Sequence, residues 1–152
     1  MRGPLTRFLA AAAVASCLGA AAPATAPEPP PLTLSVGDSQ TMGPVYTDPD
    51  GHTVYRYDRE TATGTVVCTG PCTDTRKPLL TGAGTELRLP PGLAGTLGTV
   101  TRPDGTGRQV TYDGSPLYTY TGDTQPAETA GANLDWHVLT PQEASQPRER
   151  HH

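Results

Sequence analysis

The sequence predicts an all-β fold: a small antiparallel β-repeat domain of two echoing meander units, sandwich or barrel-like, behind an N-terminal signal and a Pro-rich linker. Three observations carry that expectation. Short β-branched and aromatic runs alternate with turn dipeptides from residue 32 to residue 141. No window in that span sustains helical periodicity, the nearest being a weak pattern over 126–134. Two stretches also repeat one order of strand, Pro-Asp-Gly turn and Tyr-x-Tyr strand.

Residues 1–16 open with Arg2 and Arg7 and no acid, then run through the short apolar stretch from Phe8 to Ser16. A basic start before a short apolar run is an export signal, too short to span a bilayer as a helix. Val14-Ala15-Ser16-Cys17 has the form of a lipobox, in which small residues precede a cysteine that becomes the lipid-bearing N-terminus. On that reading Cys17 carries diacylglycerol, and added acyl chains of the palmitate kind hold the protein at the extracytoplasmic face of the cell membrane. The alternative is ordinary signal cleavage in the alanines after Cys17, which leaves the protein secreted. The count of three cysteines favours the lipid, since one is left over when two pair. Residues 17–31 then form a Pro/Ala-rich, polyproline-like tether.

The domain proper is expected over 32–141, with candidate strands at 34–36, 45–47, 53–57, 65–68, 86–89, 97–102, 108–112, 116–120 and 136–139. Asp50-Gly51, Asp104-Gly105, Asp113-Gly114 and Gly122-Asp123 punctuate them as hairpin turns would. The chain has 17 Gly and 17 Pro, and its one Phe lies in the signal. The core must therefore come from Leu, Val, the six tyrosines and Trp136, and so thin a core gains from a covalent staple. Residues 142–152 are a polar tail, expected to fray.

The internal echo sets Tyr55 and Tyr57 against Tyr118 and Tyr120. Residues i and i+2 share a strand face, so each pair should lay two rings side by side. Those rings read as core; exposed, they would instead form a platform for a sugar or quinone-like ligand. Leu117-Tyr-Thr-Tyr-Thr-Gly-Asp123, with Cys68-Thr-Gly-Pro-Cys72 and Leu97-Gly-Thr-Val, resembles the bacterial secreted-repeat lipoproteins marked by a Tyr-x-(Phe/Trp/Tyr)-x-x-Asp motif. Tyr118, Tyr120 and Asp123 match it in full. In the first copy Tyr55 and Tyr57 match while Glu60 replaces the Asp, and Arg76 stands where the family usually carries a Trp after its second Cys. The resemblance implies export, a lipid anchor and a repeat-built β fold, and it implies no known reaction.

Cys68 and Cys72 bracket Thr-Gly-Pro in an exported protein, so a disulfide is expected, the Gly-Pro turn bringing the sulfurs together. A redox dithiol would want the C-x2-C spacing at a helix N-terminus that lowers a thiol pKa. His52, His137, His151 and His152 show no metal-ligand spacing, so no metal and no cofactor is expected. Asp123, Glu128 and Asp135 flank a Gly/Thr/Pro-rich loop and could hold calcium, but such acids more often cap turns. Asp123 is expected to bond a backbone N–H two residues on. Ser115 follows a turn and sits in no nucleophile elbow.

Loss of Arg2 and Arg7 leaves nine basic residues against 15 acidic ones, a net charge of −6 without a Lys/Arg cluster, which excludes the footprint of a nucleic-acid binder. These features point to a non-catalytic, surface-tethered lipoprotein of the cell envelope, a structural or binding module for an envelope protein, glycan or small molecule. The first alternative is an extracytoplasmic redox or metal-handling accessory protein working through Cys68 and Cys72. The second is a small hydrolase working through the loop carboxylates.

Overall fold

The computed structural model describes residues 27–142, together with residues 3, 13–15 and 19. Cys17, most of the signal segment, His151, His152 and the tail beyond residue 142 lie outside the described residues.

The elements run β1 (Leu32–Thr33), β2 (Ser35–Ser39), β3 (Gly43–Thr47), β4 (Tyr55–Tyr57), a one-turn helix α1 (Asp58–Thr61) and a 3-10 turn (Gly70–Asp74). They continue with β5 (Arg76–Pro78), β6 (Leu80–Thr81), β7 (Leu87–Arg88), β8 (Leu97–Thr101), β9 (Arg108–Tyr112), β10 (Ser115–Tyr120) and β11 (Trp136–Val138). Seven strands make the main sheet, in the order β11-β4-β10-β9-β6, with β5 also on β10 and β8 also on β9. Among the described residues the path does not return to its start, so no barrel closes. β2 and β3 form a separate hairpin, and β1 lies parallel to β7.

Alternation explains how so few apolar residues make a core. Tyr46, Val54, Leu117 and Leu139 enter one buried cluster, while their neighbours Val45, Tyr55, Tyr118 and Val138 enter the other. Successive side chains of a strand leave by opposite faces, so these strands are covered on both sides. The β9–β10 hairpin turns at Asp113 (φ 47°) and Gly114 (φ 84°), and positive φ at both central residues is the type I′ geometry an Asp-Gly pair favours.

Two expectations change. Residues 65–68 are not a strand, because the Glu60 carboxylate takes the N–H groups of Val67 and Cys68 that a ladder would have used. Conversely, Arg76–Pro78 is a strand despite its composition. It pairs only with β10, and an edge strand tolerates a proline.

Candidate functional site

The two Tyr-x-Tyr strands lie against each other. β4 runs antiparallel to β10, with Tyr55 opposite Tyr118. Each copy then hands its last strand to the other. β5 lies on β10, pairing Arg76 with Tyr120 and Pro78 with Tyr118. β11 lies on β4, pairing Trp136 with Tyr57 and Val138 with Tyr55. Arg76 and Trp136 therefore occupy equivalent places, and neither repeat is complete without its sister.

The acids that end the motif cross over in the same way. The Tyr118 hydroxyl donates to Glu60 Oε2 at 2.8 Å, and the Tyr55 hydroxyl donates to Asp123 Oδ2 at 2.6 Å. Glu60 is fully buried and also accepts from Val67 N–H at 2.6 Å and Cys68 N–H at 3.0 Å. Asp123 accepts from Ala130 N–H at 2.9 Å, seven residues on rather than the expected two. The N–H groups of Thr124 and Gln125 go to Glu128 instead. A buried carboxylate calls for donors: three reach Glu60, all at Oε2, while its buried Oε1 has no partner, and two reach Asp123.

These environments set the titration behaviour. Burial, then the hydrogen-bonded carboxylate, pushes Tyr55 well above the ordinary phenol value; burial and the charge of Glu60 do the same to Tyr118. Burial raises Tyr46 to about 12. Burial also raises Asp123, against the pull of its hydrogen bonds, whereas the N–H groups of Gln125 and Thr124 hold Glu128 below the usual range.

Two buried arginines complete the cluster. The Arg76 guanidinium lies 4.3 Å from the Tyr120 ring centre and 4.5 Å from that of Trp136, and donates from Nη2 to Gly131 C=O at 2.8 Å. Residue 131 must be glycine here, since a Cβ would sit 2.7 Å from Arg76 Nη1 and from the Tyr120 ring. Trp136 stacks on Tyr57 at 4.4 Å between centroids and meets Tyr118 edge-on at 5.1 Å. Arg102 is 2% exposed and fans out to Cys68 C=O, Gln109 Oε1, Asp104 and Thr106. Arg102 belongs to none of the motifs visible in the sequence, although aligning the two Pro-Asp-Gly turns places it opposite Asp48.

Cys68 and Cys72 form a disulfide across the 3-10 turn, with Cys68 buried in the tyrosine cluster. Tyr55 and Tyr118 are wholly buried and Tyr57 and Tyr120 half-buried, so the rings are core rather than an open platform. Asp123, Glu128 and Asp135 do not converge. Among the described residues the group at metal-ligand spacing is Asp48, Asp50 and His52, where Asp48 Oδ1 accepts from the N–H groups of Asp50 and His52 and so closes the turn.

The second acid–tyrosine pair lies under a cleft of about 580 Å³ between the β2–β3 tip and the loop at 125–132. Gln40, Thr41, Met42, Glu128, Thr129 and Ala130 line it. Thr41 and Thr129 hydroxyls meet at 2.7 Å, the Glu128 carbonyl faces the Tyr55 hydroxyl at 3.4 Å, and Ala130 is the residue whose N–H Asp123 holds. No helix of the described residues is long and apolar enough to cross a membrane.

A family profile described as a secreted repeat of unknown function matches residues 38–79 and again residues 98–140, the two structural copies found above. Comparison with curated proteins and with solved structures gives no match.

Proposed function

This chain belongs to the family of secreted repeats of unknown function, and on that premise we propose that it is a non-catalytic module of the cell envelope. A lipid on Cys17 tethers it to the extracytoplasmic face of the membrane, and its second repeat binds an envelope protein, glycan or small molecule. The cleft above Asp123 and Tyr55 supports the binding part of this reading: hydrogen-bonding side chains rim it, and Met42 leaves apolar surface there, 46% exposed. Such a mixture of a few polar groups and apolar surface in a concave site is what ligand recognition uses. Among the described residues the Tyr118 and Tyr55 hydroxyls occupy one oxygen each of Glu60 and Asp123, and Cys68 and Cys72 are joined to each other.

A pull-down from intact cell envelopes tests the binding, with the anchored full chain and its Thr129→Arg variant as baits. An envelope component retained by the native protein and lost from the variant, at unchanged circular dichroism, is the expected result. Equal retention by both baits removes the cleft from the function. The anchor is tested separately: Cys17→Ala should leave the membrane fraction, and undiminished membrane retention rules the lipid out.

A further inference from the structure

We infer that the ligand of the cleft is an extended peptide segment that adds to the open edge of β2 as a further strand and lays a basic side chain in the cleft. The inference rests on the binding role proposed above and names the ligand class.

An edge strand displays unpaired main-chain groups, and proteins usually guard it with proline, lysine, a bulge or a cover. Among the described residues β2 pairs with β3 alone, through five consecutive register pairs without a bulge. It holds no proline and no lysine. The Tyr46 N–H leaves that hairpin for Leu139 C=O, and Pro44 has no N–H to give. Val36 with Tyr46 and Asp38 with Pro44 are therefore the pairs that do not bond each other. The N–H and C=O of Val36 and Asp38 point outwards along the edge instead. Val36 also leaves apolar surface there, 42% exposed.

The cleft begins where this edge ends. Asp38 and Ser39, the last residues of β2, line it. The facing loop comes so close that a Cβ on Gly37 would sit 3.0 Å from that of Ala127. A strand added to β2 runs past the mouth of the cleft, and every second side chain of it faces the loop. Main-chain bonds to the edge then give affinity, and the pocket gives selectivity.

Charge identifies the side chain. Asp38 and Glu128 line the cleft, and no Lys, Arg or His does. The N–H groups of Thr124 and Gln125 both bond Glu128 Oε2, which leaves Oε1 to a ligand. Met42, Pro126 and Ala130 line the same space and suit the aliphatic stem of a lysine. A second copy of this chain fits poorly, because the one charge on its β2 is another Asp38.

The test measures fluorescence anisotropy of a labelled, end-capped heptapeptide, Ser-Thr-Val-Lys-Val-Thr-Ser, with the full chain. Saturable binding is expected, weakened about tenfold or more when the central Lys becomes Glu or when Glu128 becomes Gln, the range for losing a charged hydrogen bond. N-methylation of alternate peptide residues should abolish binding in one phase and spare it in the other, a signature of strand pairing that needs no protein variant. Val36→Pro removes an N–H that β3 does not use, and should lose the peptide at unchanged circular dichroism. No binding, equal binding of the Lys and Glu peptides, methylation that acts alike in both phases, or full binding by a folded Val36→Pro would each overturn the inference. So would a native dimer in sedimentation that Val36→Pro dissolves, since a second copy would then hold the edge. Val36→Pro also serves as a third bait in the envelope pull-down. Retention lost from Thr129→Arg but kept by Val36→Pro overturns strand addition and leaves the cleft reading standing, whereas retention kept by both overturns the two together.

Discussion

Glu60 and Asp123 each stand three residues beyond a tyrosine of equivalent position, yet they are sealed differently. Glu60 collects three donors, its partner Tyr118 lies within reach of Arg102, and the loop it holds carries the disulfide. Asp123 collects two donors beneath an open cleft. The longer side chain lets Glu60 reach two consecutive amides, Val67 and Cys68, and so clamp the start of the disulfide loop. The shorter one leaves Asp123 holding a single amide of a loop that stays partly exposed. One lock has been spent on rigidity, and the other keeps a surface that a partner can reach.

Substitutions can break this contrast, and the largest effect should come from the sealed side. Tyr118→Ala removes a fully buried ring and a hydrogen bond, and should cost about 3–5 kcal/mol in urea unfolding, the range for truncating a large core side chain. A change below about 1 kcal/mol would show that the two copies do not depend on each other there. Next come the acids. Glu60→Ala should cost about 3 kcal/mol and Asp123→Ala about 2 kcal/mol, because the first strands two buried donors, Cys68 N–H and the Tyr118 hydroxyl, and one part-buried amide, and the second strands the buried Tyr55 hydroxyl and one part-buried amide. Equal losses would erase the distinction. Replacing Cys68 and Cys72 together by alanine opens only a short loop and should cost about 2 kcal/mol, read as a lowered Tm.

The smallest effect is the pH dependence that Asp123 brings. Burial raises Asp123 in the folded state, so Asp123 favours folding most when protonated. Its contribution is present below the unfolded carboxylate value of about 3.9 and is lost as pH rises towards the higher folded value. The stability of the native protein minus that of Asp123→Asn should therefore shrink as pH rises through that window. A difference that grows instead would mean the Tyr55 and Ala130 hydrogen bonds outweigh desolvation.

Much of this was legible in the residues, and the remainder was hidden for identifiable reasons. Asp113-Gly114 announced its hairpin because few pairs accept positive φ at both positions. The Tyr-x-Tyr strands showed through their spacing. Their reciprocity did not, since a hydroxyl of one copy reaching the acid of the other depends on β4 meeting β10 in a register no local pattern encodes. Thr65-Val-Val-Cys68 has strand composition, yet a carboxylate five residues upstream of that run captures its amides. Arg76-Lys-Pro78 has none, yet it pairs because Tyr120 offers a ring for the guanidinium. The cleft was invisible because it arises where the β2–β3 tip approaches a loop some 90 residues away, as the Thr41–Thr129 contact 88 positions apart records.

The mutual gift of final strands also bears on how this polypeptide comes together. β5 reaches its place only after β10 exists, and β11 only after β4, so an emerging first half has no native berth for its own closing segment. A chain severed in the connection between β6 and β8 would yield two pieces, each unable to cover its aromatic rings alone. Mixed, they should reassemble into one particle through the same pairings that unite them when joined.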